Sequence, residues 1–212
     1  MATLIKICGL STPETLSAAI EAAATHIGLN FYPPSPRYVS PAKAAELAQI
    51  AGDAIAKVGV FVDADDDFLI EHLSAGSLDI IQLHGKETPD RVRQVKARYS
   101  LPVWKVLSVE TADDVARASA YADIADFLLF DTKTPAGALP GGMGLGFDWS
   151  LLEAYDSVLP WGLAGGLTPE NVAEAIRLTA TSLVDTSSGV ETAPGIKDVD
   201  LIARFCKAAL EA

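Results

Sequence analysis

The residues of this chain best suited to chemistry stand at the ends of short apolar runs. Cys8 closes Leu-Ile-Lys-Ile-Cys at 4–8, Asn30 falls near the end of the run from His26 with Arg37 beyond it, Asp63 follows the run from Ile55, and Gln82 and His84 end the run from Leu78. Asp131 follows Phe130, Gly165 and Gly166 follow the run from Trp161, and Ser187, Ser188 and Gly189 follow Leu183. Taken singly, most have a plain structural reading: a lone cysteine is a small buried hydrophobe, a histidine can be satisfied in a core, and an aspartate can cap the next helix. Brought to one end of one fold, they make a site. Glycine amides and serine hydroxyls after the last two runs are surroundings that hold a phosphate. Gly137, Gly141, Gly142, Gly144 and Gly146, crowded between Asp131 and Asp148, suggest a lid or a surface close to ligand.

A regular alternation must position these residues. The first run reads as a buried strand, with Leu4, Lys6 and Cys8 on one face and Ile5 and Ile7 on the other. Gly9 turns the chain, and Ser11 with Pro13 and Glu14 has the spacing of a capping box for the next helix. Helical stretches are expected at 13–25, 41–51, 66–74, 88–99, 111–121, in a short piece from Phe147, from Thr168 and Pro169 to Leu178, and at 198–212. Between them lie strands at 26–31, 55–62, 78–83, 102–107, 126–130 and 161–164, with the last opening at Leu183. Strands apolar on both faces and separated by helices call for a covered parallel sheet, and eight such units close into a (β/α)8 (TIM) barrel over residues 1–212. A doubly wound open sheet is the alternative. It carries its glycine fingerprint after the first strand, where Cys-Gly-Leu-Ser does not match.

With 212 residues, half of them hydrophobic, one sizeable core is expected. Cys8 and Cys206 are the only cysteines, too few for a disulfide framework, and no cysteine and histidine spacing resembles a zinc site, so no structural metal is expected. The net charge of -12 opposes general affinity for nucleic acid or acidic membranes, so an anionic ligand must be held by local charge. No apolar run approaches a membrane span, and Met1 leads directly into a strand. A soluble, cytoplasmic chain is expected, a monomer or homodimer with a small phosphorylated molecule as its partner.

The residues also carry a resemblance to the phosphoribosylanthranilate isomerase family of tryptophan biosynthesis. It rests on Lys-Ile-Cys-Gly-Leu at 6–10, Phe-Tyr-Pro-Pro-Ser-Pro-Arg-Tyr-Val at 31–39, Val-Gly-Val-Phe-Val at 58–62 and Gln-Leu-His-Gly at 82–85. Asp-Thr-Lys at 131–133, Gly-Gly-Met-Gly at 141–144, Ala-Gly-Gly-Leu at 164–167 and Ser-Ser-Gly-Val-Glu at 187–191 continue it. Single pieces are weak and the combination is specific. At Asn30, Pro34 and Thr186 the chain departs from the pattern.

The resemblance implies a cofactor-free Amadori rearrangement of N-(5-phosphoribosyl)anthranilate to 1-(2-carboxyphenylamino)-1-deoxyribulose 5-phosphate. The family's acid, which protonates the furanose ring oxygen, matches Asp131, and its base, which removes the proton from the sugar's C2, matches Cys8. A thiol with an ordinary pKa of about 8.5 suits the base, and Lys6 would lower that value further. The acid must stay protonated at neutral pH, as burial beneath a lid would ensure. Arg37 matches the group that grips the anthranilate carboxylate, while Gly142, Gly165, Gly166, Ser187, Ser188 and Gly189 match substrate-binding positions. Barrel closure also makes the first and eighth strands neighbours, so a buried Lys6 is expected to pair with Asp185; a lysine bent toward solvent is the alternative. Two rival functions are the related sugar-phosphate isomerase of histidine biosynthesis, for which an aspartate base is expected in place of Cys8, and a regulatory barrel that binds a phosphorylated ligand without catalysis.

Overall fold

The computed structural model describes residues 3–132, 147–153, 155 and 159–212. Eight parallel strands, β1 (Leu4–Cys8), β2 (His26–Asn30), β3 (Ala56–Phe61), β4 (Ile80–Leu83), β5 (Val103–Val109), β6 (Phe127–Thr132), β7 (Trp161–Leu163) and β8 (Leu183–Thr186), pair in chain order and close into a barrel. Closure runs through β1 and β8, whose register sets Leu4 beside Leu183 and Lys6 beside Asp185. The open-sheet alternative is excluded by that pairing. Helices α1 (Pro13–Glu21), α2 (Pro41–Ala51), α3 (Asp66–Gly76), α4 (Pro89–Arg98), α5 (Ala112–Ala116), α6 (Val172–Thr179) and α7 (Val199–Leu210) cover the outside.

The two faces of each strand serve two cores. Outward residues such as Ile5, Ile7, Leu29, Phe61, Leu128 and Phe130 pack under the helices. Inward residues Val58, Ile80, Trp104, Val106, Phe127, Leu129, Ala164 and Leu183 form a separate cluster inside the barrel. The period of two then carries each strand from an apolar interior layer to its polar carboxyl end. Leu4, Lys6 and Cys8 climb β1 in this way, and Leu183 and Asp185 climb β8.

Local chemistry shifts several expected boundaries. Thr12, rather than Ser11, caps α1 by accepting the Thr15 N–H, which leaves Pro13 as the first helical residue. After β7, Thr168 does not start the helix: its hydroxyl accepts the Glu170 N–H, its own N–H goes to Asn171 Oδ1, and α6 begins at Val172. The stretch expected to be helical at 111–121 is a short α5 that tightens into a 3-10 turn at Arg117–Tyr121, and the piece near Phe147 is a 3-10 turn at Trp149–Leu152. An antiparallel hairpin that the sequence reading omitted, β9 (Glu191–Ala193) with β10 (Ile196–Lys197), follows β8 and pairs Glu191 with Lys197.

Candidate active site

The cleft at the carboxyl ends of the strands gathers most of the expected residues. Cys8, Asn30, Arg37, His84, Asp131, Gly165, Gly166, Asp185, Ser187, Ser188 and Gly189 line it, around about 630 Å³ of space that includes its open mouth. Asp63 does not join them. Its carboxylate accepts the Lys86 N–H at 2.6 Å, bracing the loops after β3 and β4. Gln82 lies beneath the cleft, with no exposed surface, and its amide nitrogen meets His84 Nδ1 at 3.2 Å. Gly142 and the expected lid between Asp131 and Asp148 fall largely on 133–146, outside the described residues.

Cys8 is half-buried at the end of β1, and Lys6 sits two residues deeper on the same face. The Lys6 ammonium donates to Asp185 Oδ2 at 2.7 Å, so the interior ion pair forms as barrel closure requires and the solvent-bent alternative fails. Burial by itself would lower the Lys6 pKa, but Asp185 and the Cys8 sulfur outweigh it and hold the value above the ordinary one. Burial pushes the Cys8 thiol up, against the pull of Lys6 and Lys197, which reverses the expected lowering. Lys6 is already shared with Asp185 and cannot compensate the thiolate alone. Burial also raises the Asp185 carboxyl, and its second oxygen, Oδ1, has no partner among the described residues.

Across the cleft, Asp131 ends β6 with both oxygens engaged. Oδ1 accepts the Thr132 N–H at 2.7 Å, and Oδ2 lies 3.2 Å from His84 Nε2. His84 is itself anchored by what lies below it. The Lys105 ammonium donates to the carbonyls of Leu83 and Gly85 on either side of His84 and to Glu87 at 2.7 Å, and Glu87 also accepts the Asp63 and Gly85 N–H groups. A buried ion pair is thereby fully hydrogen-bonded and fixes the loop that aims the imidazole.

Arg37 departs most from expectation, because a protein carboxylate already holds one edge of its guanidinium. Nε donates to Glu191 Oε1 at 2.8 Å and Nη2 to Oε2 at 2.7 Å. Lys197 reaches the same carboxylate at 2.7 Å and also donates to the Ser187 carbonyl and hydroxyl, while the Ser187 hydroxyl donates to the Cys8 carbonyl. Burial disfavours the Glu191 anion, yet Arg37 and Lys197 overcome this and depress its pKa; burial lowers that of Lys197. Glu191 and Lys197 are functional residues that strand-end spacing does not single out. The available signal was Pro194-Gly195, a turn dipeptide that folds the hairpin back. Asn30 shapes the facing loop, accepting the Tyr32 N–H and donating to the Ser35 hydroxyl.

Close approach explains several glycines. A Cβ on Gly28 would stand 2.6 Å from Cys8 Sγ, and one on Gly189 only 1.9 Å from the Leu167 carbonyl oxygen. Gly165, at φ +85°, would drive a Cβ to 2.8 Å from Asp131 Oδ1. These positions keep room for the reactive side chains and for the turns after β7 and β8.

Known proteins resemble this chain in sequence and in fold. The family model described as N-(5'phosphoribosyl)anthranilate (PRA) isomerase matches residues 5–208. An N-(5'-phosphoribosyl)anthranilate isomerase of Paramagnetospirillum magneticum is 54% identical over 206 residues, covering 97% of this chain and 96% of that protein. The crystal structure of phosphoribosyl anthranilate isomerase from Thermotoga maritima superposes with a TM-score of 0.89 at 37% identity, covering 99% of this chain and 100% of that one. A second structure, of the isomerase in complex with reduced 1-(o-carboxyphenylamino)-1-deoxyribulose 5-phosphate, gives 0.87 at 35% identity over the same shares. With the match running nearly from end to end, the chain belongs to the N-(5'-phosphoribosyl)anthranilate isomerase family, the isomerases of tryptophan biosynthesis.

Proposed function

We propose that Cys8 is the general base and Asp131 the general acid of the Amadori rearrangement of N-(5'-phosphoribosyl)anthranilate in this chain. The observation that carries the assignment is that both line one cleft from separate strands, each with its own support: Lys6 beneath Cys8, and His84 on Asp131. Asp131 protonates the furanose ring oxygen, the C1–O bond breaks, and an iminium forms between C1 and the anthranilate nitrogen. Cys8 then takes the proton from C2, leaving an enolamine that becomes the ketone. The iminium next to C2 acidifies the proton to be removed and supplies a positive charge that favours the thiolate, the charge that Lys6 does not supply alone. The reaction moves protons and shifts bonding electrons within the substrate, so it calls for no redox cofactor.

Gly165 and Gly166 with Ser187, Ser188 and Gly189 surround the phosphate, and Gly142 is a further substrate-binding residue. Arg37 holds the anthranilate carboxylate, its guanidinium oriented by the two bonds to Glu191. Residues 1–212 act as one catalytic domain in the cytoplasm, as a monomer or homodimer, on this small phosphorylated substrate and without nucleic acid or membrane as partner.

The test is kinetic. Cys8→Ala and Asp131→Asn should each lower kcat by roughly two to four decades, the usual worth of a positioned acid or base. The acidic limb of the pH profile reports the base and the alkaline limb the acid, so the residual activity of Asp131→Asn should lack the alkaline limb. Near-normal turnover in Cys8→Ala, or an unchanged alkaline limb in Asp131→Asn, would refute the respective role.

A further inference from the structure

The acid and base above leave one proton without a destination. As the enolamine becomes the ketone, the O–H bond at C2 must break, and some group must accept that proton. Asp131 serves the ring oxygen, and its two oxygens already face the Thr132 N–H and His84. Asp185 differs. It is only 6% exposed and lines the cleft, and while Lys6 holds Oδ2, Oδ1 is buried without a hydrogen-bond partner among the described residues. A buried carboxylate oxygen without a partner is disfavoured, so a donor on a ligand in the cleft meets an acceptor there.

Its place on the cleft floor is also telling. Register puts Asp185 beside Lys6, one inward position below Cys8, and its electrostatic neighbours include Cys8, Asp131 and His84 as well as Lys6. It therefore stands within electrostatic reach of both the group that handles C2–H and the group that handles the ring oxygen. The C2 hydroxyl sits on the carbon whose hydrogen Cys8 removes and is the donor that must lose its proton for the ketone to form.

We propose that Asp185 is a third catalytic residue, whose Oδ1 accepts a hydrogen bond from the substrate's C2 hydroxyl and takes its proton as the ketone forms. The proposal rests on Cys8 and Asp131 acting as assigned above. The O–H bond electrons become the second C–O bond at C2, the C1–C2 double-bond pair takes the proton from the Cys8 thiol to form the new C1–H bond, and Cys8 returns to the thiolate. Asp131 has lost one proton and Asp185 has gained one, so exchange with solvent on product release resets the site with nothing left over. Lys6 keeps Asp185 ionised before the step, and burial, which raises the Asp185 pKa, makes its carboxylate a stronger base than an exposed one.

Asp185→Asn keeps the shape and removes the base. To separate this role from that of a partner for Lys6, the double variant Lys6→Met with Asp185→Asn replaces the ion pair by neutral groups, and thermal melting verifies that both variants fold. With N-(5'-phosphoribosyl)anthranilate in D2O, each folded variant should show kcat lowered by roughly two decades, with KM changed less than threefold. Substrate recovered at partial conversion should carry deuterium at C2, because the enolamine persists long enough to be reprotonated. Turnover restored in the double variant would reduce Asp185 to a partner of Lys6, and a fall in kcat without deuterium at C2 would place the defect before C2–H cleavage; either overturns the proposal. Cys8→Ala in the same assay distinguishes the underlying reading: it should show no exchange, and exchange at the rate of Asp185→Asn would refute the base assignment instead.

Discussion

Replacing Glu191 by glutamine tests whether the hairpin after β8 belongs to the active site or only decorates it. The Glu191 side chain is 4% exposed and accepts three charge-assisted bonds, from Arg37 at 2.8 and 2.7 Å and from Lys197 at 2.7 Å. Removing one partner of a buried pair costs ~3–5 kcal/mol, mostly because the surviving charge is left uncompensated. Glutamine keeps one acceptor oxygen, so the lower end, about 3 kcal/mol, is expected, or a fall in Tm of roughly 6–12 °C for a chain of this size. Sign matters for the pH dependence. The folded-state pKa of Glu191 is depressed, so its contribution is present above the ordinary carboxyl pKa and fades as pH falls below it. The difference between wild type and variant should therefore narrow as pH drops below about 4.

Catalysis should respond in KM more than in kcat. Glu191 fixes the guanidinium plane through two parallel bonds, and without it Arg37 must pay rotamer entropy to meet the substrate carboxylate. A tenfold or greater rise in KM with kcat within threefold of wild type is expected from steady-state kinetics. A Tm shift below 2 °C would refute the charge-compensation argument. An unchanged KM despite the stability loss would refute the claim that Glu191 orients Arg37.

Two further expectations follow from burial and packing. Gly28→Ala should push Cys8 Sγ from a would-be Cβ only 2.6 Å away, lowering kcat at least tenfold while overpacking costs about 1–3 kcal/mol; wild-type kcat would show that the thiol tolerates displacement. His26, near Lys6 and tilted against Trp104, has its pKa lowered to about 4 chiefly by burial, so stability should decline as pH falls from about 6.5 toward 4. Denaturant melts of His26→Phe should show a shallower decline over that window, and parallel curves would remove His26 as the cause.

What could be read from the sequence followed the rules that fix topology. Once eight apolar runs alternate with helices, closure sets β1 beside β8, and a period of two puts Lys6 and Asp185 on the inner face; their pairing across 179 residues was therefore inferable before any coordinate. The same logic located Cys8 and Asp131. Where it failed, the deciding interaction lay outside that logic. Ser11 and Thr12 are both good caps, and residue type does not tell which of them meets the Thr15 N–H; in the fold it is Thr12. The Arg37–Glu191 pair spans 154 residues and depends on a hairpin that no barrel requires. Arginine and glutamate are common surface residues, so neither type signals that it will be buried against the other. The consequence reaches the chemistry: a reading of strand ends alone makes Arg37 a cation awaiting the substrate, whereas the fold supplies a carboxylate of its own and shares it with Lys197, beside the same Ser187 that ties β8 to the Cys8 carbonyl. Substrate recognition and the backbone that carries the base thus meet in one hydrogen-bonded cluster, in which Glu191 holds the recognition side.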